Sequence, residues 1–153
     1  MMGELSEQEI INVLSSQVIG RLACSDGVHP YIVPVTYMFD GDFIYGQTSE
    51  GSKLNILRKN KHVCFEVDIL MDMRNWQSVI VKGSFEELEN EAAEIAKELL
   101  FKRIFPLQTS STIHKFEHEV HDDPVEVEKS KNKFRYVMYR IKPEKITGRY
   151  EKQ

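Results

Sequence analysis

Cysteine is nearly absent from this sequence: Cys24 and Cys64 are its only two, and they form no C-x-x-C pair. Zinc-ribbon and thioredoxin-like chemistry lack their ligand spacing. Two reduced thiols packed in apolar runs are expected instead. No apolar run is long enough to span a bilayer, and no signal-peptide pattern opens the chain. The cytoplasm is the expected compartment. Nor is there an excess of positive charge: 20 Lys and Arg against 24 Asp and Glu give −4, which argues against a nucleic-acid binder. Tryptophan occurs once, as Trp76, and proline five times. There is no internal repeat and no low-complexity tract.

What the chain has is ordinary globular material. Of 153 residues, 41% are hydrophobic and 29% charged, so one folded domain over residues 1–153 is expected. Ser6 and Glu9 form an S-x-x-E capping box. Ile10, Ile11, Leu14 and Val18 then follow at helical spacing, predicting a helix over about Glu7 to Ser16. From Ile19 the period changes. "IGRLACS", "YIVPVTYMF" and "FIYGQ" read as strands joined by the turns "DGVHP" and "DGD", a hairpin signal. "SKLNILRKN" reads as a short helix, with Leu54 and Leu57 on one side. "HVCFEVDIL" and "WQSVIVKGSFEEL" are further strands, and Gly83 within the second suggests a bulge or bend. "NEAAEIAKELLFKRIFP" predicts a helix with Ala92, Ala96, Leu99, Leu100 and Ile104 on one face, ended by Pro106. Residues 107–132 read as a polar loop or lid. "KFRYVMYRIKP" is a sixth strand and "KITGRYE" a short terminal one. The fold class expected is mainly β: a six-stranded antiparallel barrel with peripheral helices, closed to remove exposed edges.

The stretch "GQTSEGSK", Gly46 to Lys53, lies one transposition from the G-x-x-x-x-G-K-[ST] phosphate loop. That loop belongs to a parallel βαβ unit. Tight hairpins precede the stretch here, which parallel pairing forbids, so a nucleotide triphosphatase is excluded. One phosphomonoester remains chemically reasonable. A helix N-terminus presents free N–H groups and partial positive charge. Thr48, Ser49 and Ser52 add hydroxyls, Gly51 admits close approach, and Lys53 brings a full charge. An ordinary helix cap, with Ser49 or Ser52 on the free N–H groups and Lys53 in solvent, accounts for the same residues.

The ordered series "PYIVPVTYMFDGDFIYGQTSEGSKLNILRKNKHVCFEVD", "NWQSVIVKGSFEEL" and "ITGRYE" resembles the pyridoxamine 5′-phosphate oxidase-like family. It is most similar to the flavin-nucleotide-binding branch that includes nitroimidazole-resistance proteins. The resemblance implies a split β-barrel homodimer with FMN in a cleft between subunits. Val33, Pro34, Val35 and Thr36 would run along the flavin ring, near Tyr45 and Gln47. Thr48, Ser49 and Lys53 would hold the phosphate. Trp76 and Ser78 of the partner chain would close the site. Pro34 fits an edge strand or bulge, because it cannot donate to a ladder; Trp76 equally fits a core or interface aromatic.

An FMN-dependent oxidoreductase is the activity implied. Relatives often carry histidine where Gln47 stands, and Gln47 cannot shuttle a proton near neutral pH. No catalytic acid or base emerges, and no second basic set for a substrate phosphate appears in the C-terminal segment. A non-catalytic flavin carrier or sensor is the alternative. His114, His118 and His121 in "IHKFEHEVHDD" lack helical periodicity and fall one residue short of H-E-x-x-H, so no metal site is expected. As haem ligands they would make a haem-binding barrel, and a deazaflavin is a further alternative cofactor. "RKNKH", Arg58 to His62, reads as a solvated helix end favoured by the helix dipole.

Overall fold

A computed structural model describes residues 1–107 and 135–153. Its strands are β1 (Met2–Glu4), β2 (Ile19–Ser25), β3 (Pro30–Phe39), β4 (Ile44–Ser49), β5 (His62–Asp72), β6 (Asn75–Glu87) and β7 (Tyr136–Glu151). The helices are α1 (Glu7–Ser16), α2 (Ser52–Lys59) and α3 (Asn90–Ile104), the last followed by a 3₁₀ turn at Phe105–Leu107. The strands form one sheet in the order β1-β7-β4-β3-β2-β5-β6, and a β6–β7 ladder closes it into a ring. Every pairing is antiparallel. The ring has the six strands expected from sequence. β1 is an addition to it, three residues laid along the end of β7.

The two predicted C-terminal strands are one. β7 continues through Pro143, because a register slip opposite Lys82 and Gly83 makes room for it. Proline is tolerated at such a bulge, where its missing N–H leaves no ladder position empty. Gly83 is needed there, since a Cβ would stand 2.4 Å from the Lys142 carbonyl oxygen.

Alternation sends one face of each strand inward. Leu22, Tyr37, Ile44, Phe65, Val67, Val79, Val81, Tyr139 and Ile141 meet there, joined by Val13 and Leu14 of α1 and Leu54 and Leu57 of α2. Both short helices therefore bury an apolar side in the barrel core. The Tyr37 hydroxyl ties α1 down by donating to the Leu14 carbonyl at 2.6 Å. α3 lies outside, with Ala96 and Leu100 packed on Tyr45 and Met138. Ala92, expected on its buried face, is exposed, and Ala93 takes that place.

Two ladders are short. β3 and β4 pair only from Phe39↔Ile44 to Tyr37↔Gly46. β2 and β5 pair only from Ala23↔Cys64 to Arg21↔Glu66. The barrel is split at both places, and the first split positions the site.

Candidate functional site

Beyond Tyr37 and Gly46, β3 and β4 separate. The Tyr37 N–H donates to the Val18 carbonyl at 2.9 Å, on the β2 side. Main-chain direction alternates along a strand. Thr36, Pro34 and Ile32 therefore turn their main-chain groups to the side that β4 has left. Pro34 has no N–H to lose there, which explains a proline in mid-strand. Thr36 and Pro34 are exposed, Val33 is half-buried and Val35 buried. The Val33–Thr36 stretch thus begins an edge from which β4 has departed.

β4 continues on the other wall, paired to β7 alone from Gln47↔Met138 to Ser49↔Tyr136. Gln47 and Ser49 are exposed, and Thr48 faces inward and is buried. The Thr48 hydroxyl lies 3.4 Å from the Ser49 carbonyl, too long for a strong bond.

The chain then turns through Glu50 and Gly51 into α2. Gly51 is its N-cap, with no side-chain bond to the free N–H groups of the first turn. Neither Ser49 nor Ser52 caps the helix, so the ordinary-cap reading of "GQTSEGSK" does not hold. No acidic residue lies in the first turn. Lys53 is half-buried and has no ion pair among the described residues. Burial lowers its pKa, while Cys24 within electrostatic reach pulls the other way. Cys24 answers in kind: burial raises its pKa, and Lys53 opposes the rise. The ammonium is therefore partly withdrawn from solvent, within electrostatic reach of Cys24 on β2.

Glu50 is the one carboxylate between Gly46 and Lys53, and it is already taken. Arg58 at the far end of α2 grips it at 2.9 and 3.1 Å and holds Glu87 of β6 at 2.7 and 2.9 Å. Arg58 of the predicted solvated end "RKNKH" is exposed as expected, and its bidentate bonds to two carboxylates add a tie between α2 and the sheet. The sequence reading missed Arg58 and Cys24. The Glu50-to-Arg58 spacing carried no signal, since the pairing depends on how α2 folds back.

Three predicted residues are not brought to this corner. Tyr45 lies under α3, its hydroxyl 3.1 Å from Asp40. Trp76 and Ser78 sit on β6, three strands from β3, roughly 14 Å away along the sheet. The Ser78 hydroxyl is bonded to Glu66 at 3.0 Å. Within one chain neither reaches the β3 edge. The His114, His118 and His121 group, and nearly all of the 107–132 loop, lie outside the described residues. Among the described residues no group of His, Cys, Asp and Glu could hold a metal, and no helix is long and apolar enough to cross a membrane.

A family model described as pyridoxamine 5′-phosphate oxidase matches residues 6–150. An uncharacterized protein of Rhizobium meliloti is 34% identical over 84 residues, which are 55% of this chain and 56% of that protein. The match thus spans about half the length of that relative. Solved structures are similar over nearly the whole chain. A FAD-binding protein of Mesorhizobium loti has a TM-score of 0.76 at 24% identity, covering 100% of this chain and 98% of its own. The FAD-binding protein of Mycobacterium smegmatis has 0.64 at 25%, covering 97% and 98%. A Bacteroides thetaiotaomicron protein proposed to confer 5-nitroimidazole antibiotic resistance has 0.69 at 16%, covering 98% and 89%.

Proposed function

The chain belongs to the pyridoxamine 5′-phosphate oxidase family, and from that premise we propose that it binds FMN as a flavin-dependent oxidoreductase. The observation that carries this reading is the start of α2: uncapped N–H groups beside a half-buried lysine without an anion, next to an open strand edge. Those residues fit a flavin phosphate. The first-turn N–H groups and Lys53 would bind it by charge-assisted bonds. Ser49 would add a hydroxyl, and the inward Thr48 would shape the wall. The β3 edge offers the Thr36 N–H and the carbonyls of Ile32 and Pro34 to the polar rim of a flat ring. Two relatives in structure are described as FAD-binding, which supports a flavin.

The bound flavin would supply electron transfer, and the protein orientation and electrostatics. The β3 and β4 edges, Val33 to Thr36 and Gln47 to Ser49, contain no side chain that titrates near neutrality. That observation favours a second reading, a non-catalytic flavin carrier. Turnover of an acceptor with a nicotinamide donor would exclude it.

A second copy of the chain completes the proposal. The outer face of β2, β5 and β6, continued by the part of β3 beyond the Met38 that α3 covers, exposes Ile19, Ile32, Leu70 and Ile80. Arg21 stands between Glu66 and Asp68 at its centre. Apolar flanks around a mixed-charge centre suit an isologous contact, which would bring the partner's Trp76 and Ser78 toward the open edge.

The test is titration with FMN, FAD and riboflavin, followed by flavin fluorescence. FMN should bind at least tenfold more tightly than riboflavin, which lacks the phosphate. Equal affinities would sink the phosphate assignment. No flavin uptake would sink the whole reading. Sedimentation checks the dimer separately.

A further inference from the structure

The outer face of β2, β5 and β6 is short of positive charge at its centre. One guanidinium nitrogen of Arg21 serves two carboxylates, Asp68 at 3.2 Å and Glu66 at 3.6 Å. Alternation puts Glu66 and Asp68 on the same side of β5, with Val67 buried in the core between them. Their side chains are only 25% and 22% exposed, against 42% for Arg21. The Ser78 hydroxyl, directly across from Asp68 on β6, donates to Glu66 at 3.0 Å.

Other ionisable groups share this face. β5 adds Cys64 and His62, β6 adds Lys82, and β7 adds Arg149 opposite Ser78 and Glu151 opposite Trp76. On β3, Ile32, Pro34 and Thr36 carry no charge. Among the described residues, Arg21 alone forms an ion pair with either carboxylate. Burial already pushes the Glu66 carboxyl above its ordinary 4.5; Ser78 opposes the rise, Asp68 adds to it, and Arg21 opposes it. Covering the face with a second copy removes the remaining water from these groups. Repulsion between the two carboxylates then grows as the dielectric falls. An isologous contact also buries the same net-negative cluster of the other copy in the same interface. One proton relieves both effects. It belongs on Glu66, because Arg21 stands nearer Asp68, and the pair can then share a hydrogen bond.

We infer that two copies of this chain take up a proton at each Glu66–Asp68 pair when they meet, so that acid strengthens the dimer. This rests on the isologous contact proposed above and is independent of the flavin. A carboxyl that titrates higher in the dimer than in the free chain holds more protons there. Association therefore tightens as pH falls through the dimer's value and levels off below that of the free chain.

Sedimentation equilibrium of the full chain between about pH 8 and about pH 5 supplies the test. The dimer constant should rise about a hundredfold, which is about tenfold per copy for a carboxyl that titrates one unit higher. Glu66→Gln imitates the protonated acid, and Asp68→Asn leaves Glu66 alone with Arg21. Each should dimerise at the alkaline end as tightly as wild type at the acid end, and each should lose the slope. The sequence pI of about 5.8 makes loose association in acid a rival cause. Glu91→Gln removes one charge from α3, outside this face, and should keep the wild-type slope, as should His62→Gln. Dilution calorimetry in two buffers of unlike ionisation heat reads the proton uptake with no substitution at all. A dimer indifferent to pH or looser in acid, a slope that survives Glu66→Gln and Asp68→Asn, a slope lost in either control, or no proton uptake overturns the inference and leaves the dimer standing. A chain that is monomeric at every pH removes the dimer reading as well.

Discussion

At the start of α1, Ser6 accepts the Glu9 N–H at 3.2 Å and Glu9 accepts the Ser6 N–H at 3.0 Å. At the start of α2, Gly51 has no side chain to offer, and the third helical residue is Leu54, wholly buried in the core. Both helices bury leucines in the same barrel core, and both follow serine-bearing loops. Their free N–H groups meet different fates. Those of α1 are partly satisfied within the helix, so that end serves stability. Those of α2 have no side-chain cap and lie beside a lysine without an ion pair among the described residues, a combination that costs some stability and that an anion would relieve.

The sharpest way to break this contrast is at Lys53. Lys53→Ala should weaken FMN binding by about 1.5–3 kcal/mol, the range of a charge-assisted hydrogen bond, as read by fluorescence titration. The flavin-free protein should melt no lower than before, since a desolvated, unpartnered ammonium is removed. Next comes the converse change, giving α2 the cap it lacks. A side chain at Gly51 meets open space, and the backbone there is extended (φ 163°). Gly51→Asp should stabilise the flavin-free protein by a few tenths of a kcal/mol and lower FMN affinity about tenfold, because the new carboxylate takes the phosphate's place. Ser6→Ala should cost about 1 kcal/mol in denaturant melts and leave FMN affinity unchanged.

The smallest effect is in pH, and its sign separates the two ends. Bonds from the Ser6 N–H and side chain lower the Glu9 pKa from its ordinary 4.5. Its contribution is present above that value and is lost as acid carries the pH down through the folded pKa. Burial lowers the Lys53 pKa from 10.5. Its charge therefore weighs against folding at neutral pH. Stability should rise as pH climbs from the folded pKa toward 10.5, and this alkaline gain should vanish in Lys53→Ala. Melting curves across both limbs, for wild type and each variant, check the assignment.

Local features were legible in the sequence, and long-range ones were not. The capping box at Ser6, the bulge at Gly83 and the strand-to-helix turn at Gly46–Lys53 each rest on a few adjacent residues, and each appears where expected. β1 was missed because three residues carry no period of their own; Met2↔Glu151 and its neighbours create it. Pro143 hid the continuity of β7, since its tolerance depends on a slip in the opposite strand. The pairing of the exposed Arg58 was missed because Glu87 approaches it only after β6 closes the ring. The family resemblance implied Val33–Thr36 along a flavin ring and Thr48, Ser49 and Lys53 at its phosphate. The register adds what no local pattern carries: the β3–β4 ladder stops at Gly46.

β7 touches β1, β4 and β6 in turn, and it is synthesised after all three. While the nascent chain lacks it, β4 and β6 present unpaired edges, and neither Gly46 nor Gly83 has the β7 neighbour it was fitted to. Closure joins residues far apart in sequence, a slow class of folding step during which exposed edges invite association. The ring therefore comes into being only when β7 leaves the ribosome.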